Sequence, residues 1–130
     1  MYVSDTHPLI HHAGNRPSRL SSTARRIFDR ADAGELLIYV PSVALWEVAA
    51  LMNKGKVLLP QPFDHWCRGL QGSRGFEILA LDWPDVDEAR RLPFRDPFDC
   101  LITGTALRLN LPLITRDQQI VNSRLIETIW

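Results

Sequence analysis

The chain has 130 residues, which is about the length of one domain and excludes a second catalytic domain. Apolar residues make up 45% and charged residues 23%, proportions that predict a packed core rather than a disordered chain. Lysine and arginine together number 15, as do aspartate and glutamate, so the formal net charge is zero. This balance excludes a strongly basic protein that coats DNA, and any contact with nucleic acid must be local.

The cysteines and the apolar runs indicate the compartment. Cys67 and Cys100 lie far apart and form no C-x-x-C pair, so they predict buried thiols in a reducing compartment rather than a disulfide framework or a zinc site. No run of apolar residues approaches the ~18 that a membrane span needs. We expect a cytoplasmic protein with no membrane partner.

Strands and helices are predicted to alternate along the chain. Short runs of apolar and β-branched residues predict five strands, over residues 2–3, 36–40, 76–79, 113–114 and 126–130. Helical patterns lie between them, over residues 22–33, 42–54, 63–70, 84–92 and 97–109. This order predicts a single α/β domain over residues 1–130, with a five-stranded, mostly parallel sheet and helices on both faces.

Four carboxylates occupy positions where such a sheet binds ligands, beyond the carboxyl ends of its strands. Asp5 directly follows the first predicted strand, and Asp117 comes two residues after Thr115, which closes the fourth. Glu47 lies inside the helix after the second strand, and Asp99 lies in the first turn of the helix before the fourth. We expect all four side chains to meet in one cleft.

The aspartates also have a structural explanation, because aspartate is common at helix caps and turns. Asp5 is equally well explained as the cap of a helix that begins at Pro8. Asp96 is better explained as a cap than as a site residue, because Pro97 follows it at the first helical position. Asp117 is explained equally well as a turn or cap residue.

Glu47 is harder to explain structurally. It is the only charged residue between Pro41 and Asn53, and its helical neighbours are apolar. A carboxylate is costly to bury unless it is paired, hydrogen-bonded or bound to a metal. We therefore favour a functional role for Glu47 over its main alternative, a buried ion pair with an arginine.

Carboxylates that lie close together repel one another, and a divalent cation removes this conflict. Oxygen donors without a cluster of His or Cys predict Mg²⁺ or Mn²⁺ rather than zinc. His7 is expected to orient Asp5 or to meet the substrate, not to bind metal. A phosphotransferase with Asp5 as its nucleophile remains an alternative, disfavoured because the commonest such motif carries a second acid at the position of His7.

Four segments, in this order and spacing, resemble the PIN-domain ribonucleases, and among them the VapC-type toxins of prokaryotic toxin–antitoxin pairs. They are residues 5–10 (DTHPLI), residues 40–48 (VPS leading to WEV), residues 95–102 (RDPFD followed by LI) and residues 112–117 (PLITRD). The closing Ile129-Trp130 is also similar to that branch. The resemblance covers nearly the whole chain.

The resemblance implies a PIN-like fold and a Mg²⁺- or Mn²⁺-dependent endoribonuclease, the toxin of a type II toxin–antitoxin system. It also implies RNA as substrate, an antitoxin as protein partner and a homodimer. By the same resemblance, the acids that bind metal and cut RNA are Asp5, Glu47, Asp99 and Asp117, with Asp96 as a nearby fifth and Thr115 as a hydroxyl near Asp117. In that branch a His often precedes R-D-P-F-D and an Arg follows it, whereas Phe94 and Cys100 stand there in this chain, which puts a phosphate or substrate contact in doubt.

In the expected mechanism, a metal held by Asp5, Asp99 and Asp117 polarises the phosphate and activates water, while Glu47 orients a second metal or the water as general base. Predicted RNA contacts are Arg16, Arg19, Arg25, Arg26, Arg30, Lys54 and Lys56. The alternative function is a protein-binding module whose acids are structural. Its dimer or antitoxin surface would come from Leu51, Met52, Val57, Leu58, Leu59 and Trp66.

Overall fold

A computed structural model describes residues 1–14 and 16–130 of the chain. The strands are β1 (Tyr2–Ser4), β2 (Ile38–Pro41), β3 (Phe76–Leu79), β4 (Leu113–Ile114) and β5 (Thr128–Ile129). Within the described residues, the α-helices are α1 (Thr6–Ala13), α2 (Ser22–Asp32), α3 (Ser42–Asn53), α4 (Phe63–Gly72), α5 (Trp83–Ala89), α6 (Pro97–Leu109) and α7 (Gln118–Ser123). A short 3-10 helix over Pro17–Arg19 connects α1 to α2.

The strands form one sheet in the order β3-β2-β1-β4-β5. Every neighbouring pair is parallel, and Val3 in the central strand lies opposite Tyr39 of β2 and Leu113 of β4. The prediction of five strands in a mostly parallel sheet is confirmed. Because the strands are parallel, their carboxyl ends all lie at one edge of the sheet.

Helices cover both faces of the sheet, as predicted. Ile38 and Val40 belong to one apolar cluster, which contains residues of α1, α2 and α4, whereas the intervening Tyr39 packs against a second cluster. This second cluster contains residues of α6 and α7, among them Ile102 and Ile120. Successive residues of a strand point to opposite faces, so the alternation separates the two clusters.

Every predicted helix except α6 differs from the structure by one to three residues at one end or both. The helix near the amino terminus begins at Thr6 rather than Pro8, with Asp5 as its N-cap. Helix α7 follows Asp117, where the sequence indicated only a turn or cap. Helix α5 ends at Ala89, before the predicted end at residue 92, because the next residues continue in tighter turns.

Two further expectations concern membranes and thiols. None of the helices in the described part of the chain is long and apolar enough to span a membrane. Cys67 and Cys100 are free thiols, as expected. Both side chains are only partly buried, whereas buried thiols were predicted.

Candidate functional site

An acidic cavity of about 370 Å³ lies at the carboxyl edge of the sheet, and we call it the acid cavity. Its walls come from the segment after β1, from α3 and from the amino-terminal ends of α6 and α7. The residues that line it are Asp5, His7, Glu47, Asp96, Asp99, Arg116, Asp117 and Gln118. The structure therefore brings together all five acids that the sequence singled out, from positions more than a hundred residues apart.

Asp5 is the most constrained of these acids. Its side chain is 5% exposed, its Oδ1 accepts a 2.7 Å hydrogen bond from the Thr6 backbone N–H, and its Oδ2 accepts a 2.6 Å bond from the Thr115 hydroxyl. The same Thr115 oxygen accepts a 3.1 Å bond from the Asp117 backbone N–H. Burial raises the pKa of Asp5, and the bonds from Thr115 and Thr6 oppose this effect. Thr115 thus ties the ends of β1 and β4 together at the cavity.

Helix capping and cavity lining coincide in three of the acids. Asp5 caps α1, and Asp96 caps α6 by accepting a 2.8 Å hydrogen bond from the Phe98 N–H. Asp117 caps α7 by accepting hydrogen bonds from the Gln119 and Ile120 N–H groups. The cap predicted for Asp96 is confirmed, yet its side chain also lines the cavity. The same residues therefore cap helices and line the cavity, so the two interpretations of these aspartates do not exclude one another.

Glu47 projects from the middle of α3 and is half-buried. Burial raises its pKa, while the nearby Thr6 hydroxyl favours the charged form and Asp5 and Asp96 disfavour it. Among the described residues no arginine or lysine forms an ion pair with Glu47, so the alternative of a buried ion pair is not realised. Its neighbours Val43 and Ala44 on the preceding turn are buried, whereas the adjacent Trp46 is 61% exposed.

Asp99 has a strongly raised pKa. Burial and the charges of Asp5, Asp96, Asp117 and Glu47 together raise its pKa from 3.8 to about 7. Its carboxyl group therefore senses every other acid of the cavity. A divalent cation bound among these carboxylates would relieve their mutual repulsion.

The cavity carries little positive charge to offset its acids. Across residues 1–14 and 16–130, none of the five carboxylates forms an ion pair with a lysine or an arginine. Arg116 lies on the wall, but its guanidinium sits over the Trp130 ring, 5.7 Å from the centroid. No three His, Cys, Asp or Glu side chains in the described part of the chain stand close enough together to hold a metal ion between them. Carboxylate oxygens are the donors that a hard cation prefers. The acids nevertheless stand further apart than coordination of one ion requires.

The wall of the acid cavity also contains residues that are not acids. His7 is exposed on the cavity wall, where a contact with substrate was expected. Arg116 and Gln118 flank Asp117 and were not singled out, although adjacency to a predicted site acid was an available signal. At the positions that depart from the VapC-type pattern, the Cys100 thiol donates to the Phe94 carbonyl oxygen at 3.3 Å. Neither residue is among those that line the acid cavity.

The fold and the cavity define a class of protein, an open parallel α/β domain with clustered acids at its ligand-binding edge. The family model of the PIN domain matches residues 2–123. The chain therefore belongs to the PIN domain family, and the resemblance noted in its sequence is confirmed at that level. No curated protein sequence matches this chain.

Solved structures with the same fold come from toxin–antitoxin complexes. VapBC2 from Rickettsia felis, bound to a promoter DNA fragment, has a TM-score of 0.70 at 14% identity, covering 98% of this chain and 96% of that one. A toxin–antitoxin complex from Klebsiella pneumoniae has a TM-score of 0.67 at 15% identity, covering 100% and 97%. DNA-bound VapBC from Salmonella typhimurium has a TM-score of 0.66 at 18% identity, covering 98% and 96%. At these identities the likeness establishes the fold.

Proposed function

We propose that this PIN domain is a metal-dependent endoribonuclease that acts in the cytoplasm as the toxin of a type II toxin–antitoxin system. The observation that carries the proposal is the acid cavity, in which five carboxylates converge without a neutralising ion pair in the described part of the chain. Carboxylates are rarely clustered in this way for stability, because each raises the cost of ionising the others. A site that binds a divalent cation is the simplest use of such a cluster.

The cation is Mg²⁺ or Mn²⁺, because the five acids of the cavity offer oxygen donors. Asp5, Asp99 and Asp117 would hold it, with Asp96 and Glu47 as further oxygen donors. A bound cation supplies charge stabilisation to a phosphate and lowers the pKa of a coordinated water. Since the acids are not yet close enough to hold an ion between them, binding requires their side chains to approach one another, which the cation's charge favours.

The chain's own residues have separate tasks in this mechanism. Thr115 holds Asp5 and Asp117 in place through its hydroxyl, which bonds the Asp5 carboxylate and the Asp117 backbone N–H. Glu47 serves as general base toward the attacking water, since burial brings its pKa nearer to neutrality. Arg116 and His7 contact the phosphate from the cavity wall, where a guanidinium can bind two phosphate oxygens at once.

A homodimer and an antitoxin complete the proposed assembly. Helix α3 and the segment before α5 are neighbours, because the Ser42 hydroxyl accepts a hydrogen bond from the Leu81 N–H. Large apolar side chains are exposed on both. Trp46, Leu81, Trp83 and Val86 are 61%, 42%, 75% and 44% exposed, and we propose that they form the dimer interface. The antitoxin is proposed because the chains of similar fold come from toxin–antitoxin complexes.

The alternative of a protein-binding module loses part of its predicted surface. Leu59 and Trp66 are each 6% exposed and belong to the core, whereas Leu58 is 90% exposed. A module of this kind would need no metal, so the metal dependence of RNA cleavage separates the two functions.

The decisive experiment compares RNA cleavage by the wild type, Asp5→Asn and Glu47→Gln with Mg²⁺ or Mn²⁺ and with a chelator. We expect the wild type to cleave RNA and to lose this activity in chelator, and we expect neither Asp5→Asn nor Glu47→Gln to cleave RNA. Asp87→Asn is the control, because Asp87 lies outside the cavity and pairs with Arg90 and Arg91 on the surface. RNA cleavage that persists in both site variants and in chelator would reject a metal-dependent nuclease at the acid cavity. Mn²⁺ binding, measured by calorimetry, would show whether the cavity holds a cation.

A further inference from the structure

A second cavity, of about 290 Å³, adjoins the acid cavity and has the opposite charge; we call it the basic groove. Helix α1 forms one side, and the segment that follows α3 forms the other. Arg16, Arg19 and Lys56 supply its positive charge, and His7 belongs to the walls of both cavities. The groove is therefore continuous with the site of the proposed chemistry.

The cations of the basic groove are unpaired. In the described part of the chain, none of Arg16, Arg19 and Lys56 has a carboxylate within ion-pair distance, although the protein pairs arginines elsewhere. Arg30, for example, binds Glu35 at 3.1 Å, and Arg25 lies 3.9 Å from Asp29 on α2. Three exposed cations on one groove repel one another, so the groove favours an anionic ligand.

His11 gives an independent indication of a polar ligand. Its side chain lines the basic groove and is 6% exposed, yet its buried Nε2 makes no hydrogen bond among the described residues. A buried polar atom without a partner is unfavourable, and a ligand or its bound water can supply the missing bond.

We propose that the basic groove binds the backbone phosphate of single-stranded RNA next to the phosphate that is cut. This inference rests on the proposed nuclease function and adds a binding site to it. Arg16, Arg19 and Lys56 bind the phosphate, and His11 is a positioning residue on the groove wall. The aliphatic side chains of the groove, including the exposed Leu58, pack against the sugar or the base.

The placement of the cations favours a nucleic acid strand over an acidic peptide. A third cavity shares Glu47 and Asp96 with the acid cavity and Leu51 with the basic groove, and it contains Lys54 and Arg95. Cations in two cavities that adjoin an acidic centre match a polyanion that passes it, with one phosphate at the cation site and its neighbours on the basic walls. The groove's volume of about 290 Å³ is near the lower limit of small-ligand clefts, roughly 300 Å³, which suits one phosphate with its sugar.

Binding tests the groove without relying on catalysis. A fluorescent single-stranded RNA is titrated, with Ca²⁺ in place of Mg²⁺, into the wild type, the double variant Arg16→Gln/Lys56→Gln and Arg74→Ala. Arg74 is the matched control, because it is unpaired among the described residues but lines none of these cavities. We expect the double variant to bind roughly tenfold more weakly, with a salt slope smaller by about 0.7 for each phosphate that the variant no longer neutralises, and Arg74→Ala to match the wild type.

The histidine provides a second measurement. Burial lowers the pKa of His11, and the charges of Arg116, His7, Arg19 and Arg16 lower it further. A phosphate in the groove offsets the cations, including Lys56, so RNA binding raises the pKa of His11. In NMR titrations of the His11 imidazole we expect RNA to raise its pKa by about one unit, which corresponds to a tenfold higher proton affinity.

The outcomes separate this inference from the nuclease proposal. If the wild type fails to cleave RNA but the double variant still binds RNA more weakly, the nuclease is rejected and the phosphate site stands. If the wild type cleaves but the double variant keeps its KM and salt slope, the groove does not bind the strand. Loss of binding to a poly-glutamate peptide with unchanged RNA binding would assign the groove to a protein partner and overturn the inference.

Discussion

Replacing Asp99 with asparagine tests whether the acids of the cavity repel one another in the absence of a cation. The substitution keeps the size of the side chain and removes its charge. Burial and the neighbouring carboxylates raise the pKa of Asp99 from 3.8 to about 7, so the carboxyl group loses its proton more readily in the unfolded chain than in the folded one. The contribution of the protonated Asp99 side chain to the free energy of unfolding is therefore fully present below about pH 4, and it is lost as pH rises through about 7.

The size of the effect follows from the two pKa values. Their difference corresponds to about 4 kcal/mol at ~1.4 kcal/mol per unit. The side chain of Asp99 is only half-buried, so solvent screening reduces this to about 1–2 kcal/mol. We expect Asp99→Asn to gain that much stability relative to the wild type between pH 4.5 and pH 8.5, with the gain levelling off above pH 7.

Urea unfolding across this pH range, in the presence of a chelator, measures the difference directly. Asp87→Asn is the control, because pairing with Arg90 and Arg91 lowers the pKa of Asp87 and leaves it ionised in both states throughout the range. Its stability relative to the wild type should stay constant. If the curves of Asp99→Asn and the wild type run parallel, or if the variant is the less stable protein at pH 8.5, the carboxylates do not repel one another as argued.

Two further substitutions test the scaffold of the site. Thr115→Val removes the hydroxyl that bonds Asp5 and the Asp117 N–H, so we expect a loss of about 1–3 kcal/mol in urea unfolding and of RNA cleavage, with Thr115→Ser retaining both. Gly104→Ala places a methyl group 2.7 Å from a backbone oxygen of α5, so we expect a loss of about 1–3 kcal/mol, whereas Gly69→Ala on α4 meets open space and should gain about 0.5–1 kcal/mol. A Gly104 variant as stable as Gly69→Ala would contradict the close packing of α6 on α5.

The parts of the fold that the sequence predicted best are those with local signals at both ends. Helix α6 has its predicted bounds, because Asp96 and Pro97 mark its start and Asn110 ends it in the left-handed conformation, with φ of 52°. The strand β3 also matches its prediction, since Phe76–Leu79 is a short apolar run after a glycine. The parallel direction of the strands followed from the helical connections between them.

Features that depend on tertiary neighbours were not predictable. The basic groove brings Arg16 and Lys56 together across forty positions, and no local pattern indicates that these cations line the same groove. The partial exposure of Glu47 likewise depends on what covers α3, and its helical neighbour Trp46 is open to solvent rather than packed in the core. Of the apolar residues expected at the surface, Leu59 and Trp66 pack in the core, where Trp66 lies on α4 and Leu59 on the segment before it.

The topology itself explains why acids that cap helices also form the cavity. In a parallel sheet, each strand ends where a helix or loop begins at the same edge, so N-cap positions after different strands converge there. Asp5 and Asp117 receive backbone hydrogen bonds from the helices that they cap, which help to offset the cost of holding charges together. Asp99 lies inside the first turn of α6 and accepts no hydrogen bond among the described residues, and its pKa is about 7. Burial and the repulsion within the cavity therefore raise the pKa strongly at a carboxylate that caps no helix.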